Sequence, residues 1–438
     1  MSTRSTTTTT AAASAAALQP EYAAVRAATV ALCAPLAVED HVVQTMADVS
    51  PPKWHLAHTT WFFETFVLAQ FVPDYRPVHP LYRTLFNSYY EAVGARHPRA
   101  ERGLLSRPTV REVLDYRRHV DARIHDLLLR LPAEHENELC RRLILGLHHE
   151  QQHQELLLVD IKHIFATNPL QPVYRAAPTG ATQPVAPLRW HPFAGGLLEF
   201  GHAGPGFAFD NESPRHRVFL APFALADRCV SNGEYLEFIA AGGYERPELW
   251  LADGWATVAN GDWRAPLYWQ ERDGAWFEFT LSGPRPLRLD EPVVHVSYYE
   301  ADAFARWRQA RLPSEFEWEL AAQSSPREGN FVESGALQPR PAHAPALATA
   351  SGRGSTQGLR QIFGDVWELT RSDYAPYPGY RAPRGALGEY NGKFMSGQVV
   401  LRGGSCATPR SHIRATYRNF FYPHQRWNFQ GLRLAQDA

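Results

Sequence analysis

The sequence predicts two domains of different fold class, an N-terminal helical bundle over 20–168 and a C-terminal α+β domain over 193–438. A chain of 438 residues is too long for one ordinary hydrophobic core. Apolar residues recur every three or four positions in the first part, whereas glycine, tryptophan and short apolar runs dominate the second. The segment 169–192 is rich in proline, alanine and threonine, which is typical of a linker.

The N-terminal residues 1–19 begin MSTRSTTTTTAAASAAA, with one early arginine but no leucine-rich apolar core. This composition predicts a disordered tail, and neither a secretory signal nor a membrane anchor. A formal net charge of −1 gives no reason to expect nucleic acid or an anionic membrane as a partner, so small or zwitterionic substrates are favoured. The four cysteines show no CxxC spacing, which indicates a reducing, cytoplasmic location.

Two stretches of the first domain carry the clearest helical period. Apolar positions three and four residues apart predict helices over 109–131 and 134–165, and several antiparallel helices together make a bundle. The second domain has few long helical patterns, so we expect two helices there, near 231–240 and 299–310. The segment 323–360 is expected to be an exposed, variable loop.

The strongest chemical signal is the run LHHEQQHQE at 147–155, inside the second predicted helix. His149 and His153 are four residues apart, so both imidazoles lie on one helical face and can reach a single metal ion. At least one further ligand must come from elsewhere in the chain.

His58 is the best candidate for that ligand. It lies in SPPKWHLAHTTWFFE at 50–64, where two prolines suit a helix start and the residues after them are apolar and aromatic. A single histidine in such surroundings is also consistent with a hydrogen-bonded core residue. The substitutes with less suitable spacing are His148, His55 and His163.

The sequence His149-Glu150-Gln151-Gln152-His153 also matches HExxH, the zinc metalloprotease signature in which the glutamate is the general base. Neither usual continuation follows, because the next residues form no glycine turn and the helix soon reaches Pro169. A zinc protease is therefore a distant alternative.

Three neutral imidazoles leave about half of an octahedral shell open, which suits an anionic donor, a second substrate and dioxygen.

Four motifs in order resemble one known family: WHLAHTTWFFE at 54–64, FNSYYE at 86–91, HHEQQHQE at 148–155 and YRNFFYPHQRWNFQGLRLA at 417–435. Over nearly everything after residue 20, the sequence is similar to the hercynine-dependent synthases of ergothioneine and selenoneine formation. The resemblance implies a DinB-like four-helix bundle, a formylglycine-generating-enzyme-like (C-type-lectin-like) domain, and an oxidoreductase that uses Fe(II) and O2.

True formylglycine-generating enzymes place paired metal-binding cysteines shortly after a GGS motif. Here only Cys406 follows Ser405, with no partner before Tyr417. We therefore expect no sulfatase-maturing activity. The resemblance implies instead that this domain forms a lid and a substrate wall for the iron.

The resemblance also implies roles for individual residues. The iron ligands are His58, His149 and His153. The contacts to hercynine, which is trimethylhistidine, are Gln152 and Asn419. The tyrosine pair that acts as proton donor and water organiser is Tyr89 and Tyr90. The guanidinium groups that hold the carboxylate of a sulfur donor are those of Arg99 and Arg102.

One departure from the family narrows the choice of the second substrate. The members that use γ-glutamylcysteine carry an aspartate and an arginine after the position of Asn419, whereas residues 420–425 here read FFYPHQ. An apolar wall cannot satisfy the charges of a glutamyl group, and Phe421 with Trp427 suits the trimethylammonium group of hercynine.

Two candidates for the chalcogen donor therefore remain. The likeness of the whole chain favours a selenosugar, and the pair of Arg99 and Arg102 favours cysteine. A metal-storing or stress-response binding module is the alternative that is not an enzyme.

Overall fold

The computed structural model describes residues 15–130, 133–176, 185–342 and 358–438. The chain divides into two compact units, which we describe separately. The bundle unit comprises the residues up to Leu157 together with Ala203–Phe207, and the mixed unit comprises Leu158–His202 together with Ala208–Ala438. The predicted order, a helical region followed by a region of helices and strands, is confirmed.

Three of the predicted segments fall partly on residues that the structure does not describe. Of the predicted tail, residues 1–14 lie outside the described ranges, and 15–19 belong to the first helix. Residues 177–184 of the predicted linker and 343–357 of the predicted loop also lie outside them.

The described part of the bundle unit is built from four long helices and two short ones. They are α1 (Ala15–Cys33), α2 (Pro52–Phe63), α3 (Ala69–Phe71), α4 (Tyr82–Leu85), α5 (Val110–Arg130) and α6 (Glu136–Thr167), of which α6 belongs to the mixed unit after Leu157. Along α5, buried residues such as Val113, Val120 and Ile124 recur at helical spacing and form one apolar face. α5 and α6 lie where the apolar period predicted them.

A π-helical turn, Glu64–Leu68, follows α2 directly. Its first residue, Glu64, accepts hydrogen bonds from the hydroxyls of Tyr75 at 2.9 Å and Tyr116 at 2.6 Å. This buried carboxylate therefore joins α2 to α5 and to the segment after α3.

Within its described residues, the mixed unit contains twelve short strands. They are β1 (Trp190–Phe193), β2 (Gly196–Phe200), β3 (His216–Leu220), β4 (Phe223–Ala226), β5 (Trp269–Arg272), β6 (Ala275–Thr280), β7 (Gly283–Pro286), β8 (Trp367–Asp373), β9 (Val399–Arg402), β10 (Asn419–Phe421), β11 (Gln430–Gly431) and β12 (Ala435–Asp437). They form small sheets with the strand orders β1-β4-β12, β10-β9-β8-β11, β2-β3 and β5-β6-β7. β11 and β8 are parallel, and β10 pairs antiparallel with β9 so that Asn419 lies opposite Leu401.

The expectation of two helices in this region was too low. The helices are α7 (Asn232–Ala240), α8 (Ala252–Gly261), α9 (Tyr298–Trp307) and α10 (Glu315–Gln323). α10 begins with a capping box in which Ser314 and Glu317 satisfy each other's backbone N–H groups, a signal that the sequence SEFE carries. Nowhere in the described ranges is a helix both long and apolar enough to cross a membrane.

Candidate metal centre

Helix α2 presents His58 between two tryptophan rings. Pro52 has no backbone N–H, and the first turn of a helix does not need one for its hydrogen bonds. All the residues of the helix are buried. The rings of Trp54 and Trp61 stack on the His58 imidazole at centroid distances of 4.6 and 5.5 Å and interplanar angles of 10° and 18°. The two indoles therefore fix the plane of the imidazole.

His58, His149 and His153 converge within the bundle unit. Their ligand nitrogens lie within 4.8 Å of one another, and the Nε2 atoms of His58 and His149 are 3.1 Å apart. This separation suits two nitrogens that each lie about 2.1 Å from one ion at roughly a right angle. Across the described ranges, no other group of three histidine, cysteine or acidic side chains is drawn together in this way.

Hydrogen bonds orient two of these rings. Nδ1 of His58 lies 2.6 Å from the carbonyl oxygen of Phe86, so this nitrogen donates and Nε2 keeps its lone pair. Nδ1 of His153 lies 2.9 Å from Nδ1 of His55. Nε2 is therefore the atom of His58 that is left for coordination, and the same holds for His153 when its Nδ1 donates to His55.

Burial keeps the three imidazoles neutral. It lowers the pKa of His149 to about 3. It also lowers the pKa values of His58 and His153 well below the ordinary 6.5, and neighbouring imidazoles add to the effect. A neutral imidazole is the form that binds a metal, so a metal ion displaces no proton from this site at neutral pH.

We therefore expect metal affinity to stay nearly constant from about pH 7.5 to about pH 5.5, whereas histidines with an ordinary pKa would lose affinity over that range. Titration with Co(II), followed by its absorption, measures this directly. A fall of about tenfold or more would contradict the lowered pKa values. Because the unfolded chain takes up protons before the folded one, the metal-free protein should also lose stability as the pH falls below about 6.5.

The predicted tyrosine pair lies beside the same aromatic stack. Tyr90 is buried, contacts Trp61 at a centroid distance of 5.7 Å and stacks on Tyr89 at 4.6 Å. The two phenolic oxygens are 3.5 Å apart. Asn87 fixes the turn, since its Oδ1 accepts from the N–H of Tyr90 at 3.0 Å. Trp61 thus contacts both Tyr90 and His58.

The two predicted arginines have different surroundings. Arg102 is buried, donates from Nη1 to the hydroxyl of Ser50 at 2.9 Å, and places its guanidinium carbon 3.4 Å from the ring centre of Trp54. It also contributes to lowering the pKa values of His58 and His153. The side chain of Arg99 is 57% exposed and donates to the carbonyl of Asp48 at 2.6 Å.

The predicted hercynine contacts belong to different units. Gln152 lies on α6 between two triad histidines and is partly exposed. Asn419 opens β10, and its Oδ1 accepts from the N–H of Phe420 at 2.9 Å. Phe421 closes β10 and meets Trp427 edge to face at 6.2 Å. Within the mixed unit, the structure therefore brings Phe421 and Trp427 together.

Glu150, the glutamate of the HExxH pattern, is held by structural contacts. It is fully buried, accepts from the hydroxyl of Thr29 at 2.5 Å, and forms ion pairs with Arg26 at 2.8 Å and with Arg117. Burial alone would raise its pKa, but Arg117 and Arg26 lower it to about 2. A carboxylate engaged in this way does not serve as a general base, so the protease alternative loses its essential residue.

Two contributors to the centre were not predicted. His55, considered only as a substitute ligand, contacts His153, and Trp54 stacks on both His58 and Arg102. Helical spacing was the signal that could have found them. Residues three or four positions before His58 share its face of α2.

Comparison with known proteins agrees with these two units. Residues 21–157 match the DinB superfamily, and residues 192–438 match the sulfatase-modifying factor enzyme 1-like domain. A hercynine oxygenase of Mycobacterium tuberculosis is 32% identical over 404 residues, which cover 89% of this chain and 91% of that relative. The chain belongs to the hercynine oxygenase family. It is therefore an oxidoreductase, as the motifs implied.

Two further relatives share parts of the hercynine oxygenase architecture. Ergothioneine biosynthesis protein 1 of Schizosaccharomyces pombe is 27% identical and covers 53% of this chain but 28% of that protein. A formylglycine-generating enzyme of Streptomyces coelicolor is 28% identical and covers 61% of this chain and 95% of its own. The predicted combination of a DinB-like bundle with a formylglycine-generating-enzyme-like domain is confirmed.

Proposed function

We propose that the chain is a cytoplasmic non-haem Fe(II) enzyme that uses dioxygen to join C2 of the hercynine imidazole to the selenium of a selenosugar. The observation that carries the proposal is the cluster of three neutral imidazoles in a member of the hercynine oxygenase family. The cluster contains no carboxylate, so a bound divalent ion keeps its full charge. The four cysteines are free thiols, which supports a reducing compartment.

In this proposal His58, His149 and His153 hold the iron. When bound, the iron supplies open coordination positions for the reactants. Stacking and hydrogen bonds already fix the ring of His58, so it needs no reorganisation to bind the ion.

Tyr89 and Tyr90 are the groups that transfer the proton in the proposed reaction. Their oxygens are 3.5 Å apart, so either phenol can deliver a proton while the other donates a hydrogen bond to the oxygen that loses it. Phe66 packs against Tyr90 at a centroid distance of 5.0 Å, and Trp61 covers another part of it. These apolar rings exclude water from the Tyr90 side of the pair.

The remaining residues orient hercynine. Gln152 contacts the imidazole, and Asn419 contacts the carboxylate or the ring. Phe421 and Trp427 offer two aromatic surfaces to the trimethylammonium group, which is the cation that such surfaces prefer. Their edge-to-face contact keeps both rings in place without the ligand.

The surroundings of the predicted donor contacts favour a selenosugar over an acidic donor. Phe420 stacks on Tyr374 at a centroid distance of 4.1 Å, so the position after Asn419 offers an apolar ring instead of a charge. Arg99 lies beside the carboxylate of Asp48, with 3.9 Å between Nη1 and Oδ1. That carboxylate competes with a substrate carboxylate for the same guanidinium.

Cysteine is the second candidate donor. The observation that favours it is the buried guanidinium of Arg102, which lies within electrostatic reach of His58 and His153. A carboxylate bound to Arg102 would place a thiolate in the same region.

A competition experiment tests the proposal. Iron-loaded protein is supplied with hercynine, oxygen and equal amounts of selenosugar and cysteine, and the products are followed by mass spectrometry. We expect the selenium product to form at least about tenfold faster, a preference of ~1.4 kcal/mol. Faster formation of the sulfur product would assign cysteine as the donor, and oxygen consumption that does not depend on hercynine would contradict the proposed reaction.

A further inference from the structure

His55 contacts the triad without belonging to it. It lies on α2 three residues before His58, is 2% exposed, and places its Nδ1 2.9 Å from Nδ1 of His153. The two ring centroids are 5.2 Å apart at 56°, and Trp54 meets the ring of His55 edge to face at 5.9 Å. Its position is therefore fixed by the helix and by a neighbouring indole.

The hydrogen bond between the two Nδ1 atoms has two possible directions, and only one of them permits coordination. A neutral imidazole carries one proton. If Nδ1 of His153 accepts, the proton of His153 is on Nε2, which then has no lone pair for a metal. If Nδ1 of His153 donates, Nε2 is free to coordinate.

His58 has no such ambiguity. Its Nδ1 lies against the carbonyl oxygen of Phe86, which can only accept, so the backbone fixes its coordinating tautomer. The partner of His153 is a side chain that can donate or accept. The identity of residue 55 therefore decides which nitrogen of His153 faces the ion.

We propose that His55 is a positioning residue: it accepts the Nδ1 proton of His153 and so selects the tautomer whose Nε2 binds the metal. This inference rests on the metal centre of the proposed function. An imidazole acceptor orients His153 without the negative charge that the more usual carboxylate partner adds to a ligating histidine. The ion thus keeps more of its own charge for an anionic chalcogen donor.

Three variants separate this role from simple packing. His55→Asn keeps an acceptor oxygen near the position of Nδ1, His55→Leu removes the acceptor, and His55→Asp replaces it with a charged one. Co(II) affinity and the Co(II) absorption spectrum are measured for each, together with the reduction potential of the iron form. The melting temperature of each metal-free protein shows that it is folded.

We expect His55→Leu to bind Co(II) about 10- to 100-fold more weakly, the usual effect of losing such a partner, and His55→Asn to stay within about threefold of the original protein. His55→Asp should bind at least as tightly and lower the iron potential, because the charged acceptor makes His153 a stronger donor. Equal affinity of the leucine variant, or equal losses for asparagine and leucine, would overturn the role of His55 alone. Failure of the unmodified protein to bind Co(II) would instead overturn the proposed function.

Discussion

Replacement of His149 by alanine is expected to abolish hercynine-dependent turnover and to weaken metal binding by more than about 100-fold. Removing a residue that only hydrogen-bonds to a metal ligand weakens binding by about 10- to 100-fold, and removing a ligand itself should weaken it more. His149 contributes one of three nitrogens that lie within 4.8 Å of one another. The two imidazoles that remain supply too few ligand atoms to hold the ion tightly. Metal content of the purified protein and oxygen uptake with hercynine measure the two effects.

The adjacent histidine provides a matched control. His148 lies on the same helix, but its ring stacks on Phe207 at a centroid distance of 4.0 Å and 13°. We expect His148→Ala to retain bound metal and turnover within about threefold, because it contributes no nitrogen to the triad. If both variants lost metal to the same extent, the assignment of ligands along α6 would be wrong.

Replacement of Glu150 by alanine is expected to lower the free energy of unfolding by about 3–5 kcal/mol, because it leaves buried charges without a partner. Arg26 and Arg117 are 3% and 2% exposed and both pair with this carboxylate. Denaturant unfolding of the metal-free protein, followed by circular dichroism, measures the loss. The stabilisation is present at neutral pH and is lost as the pH falls toward the lowered pKa of about 2.

An exposed glutamate on the same helix is the control for that experiment. Glu138 pairs with Arg142 at 2.9 Å but is 45% exposed, so Glu138→Ala should cost less than about 1 kcal/mol. Equal losses for the two alanine variants would mean that burial adds nothing to the Glu150 pairs. A folded Glu150→Gln protein that keeps hercynine-dependent turnover would also exclude the protease, which needs this residue as its base.

The long helices could be predicted from the sequence because each buries one apolar face with a regular period. α5 was expected over 109–131 and lies at Val110–Arg130. The short helices α8 and α10 were not expected, although α7 and α9, which are equally short, were predicted. Such helices depend on caps and on tertiary packing.

The site shows the same division between local and long-range information. The pairing of His149 with His153 follows from helical spacing. The residues around His58 made it only the best candidate for the third ligand, and its assignment needed the family resemblance. The HExxH pattern alone could not show whether its glutamate is a general base. The sequence does not reveal that Arg26 and Arg117, from two other helices, neutralise Glu150. In the same way, a pair of arginines in HPRAERG gives no sign that one is buried and the other exposed.

The all-histidine composition of the triad also bears on how the protein acquires its ion in a cell. Imidazole ligands bind first-row divalent metals with affinities that rise from manganese through iron to copper, and zinc binds more tightly than iron. Three neutral histidines provide no ligand type that reverses this order. Loading with the proposed iron must then depend on the relative supply of metals during folding. Protein purified from zinc-rich medium should carry zinc and should turn over hercynine only after it is stripped and reconstituted with ferrous iron under anaerobic conditions.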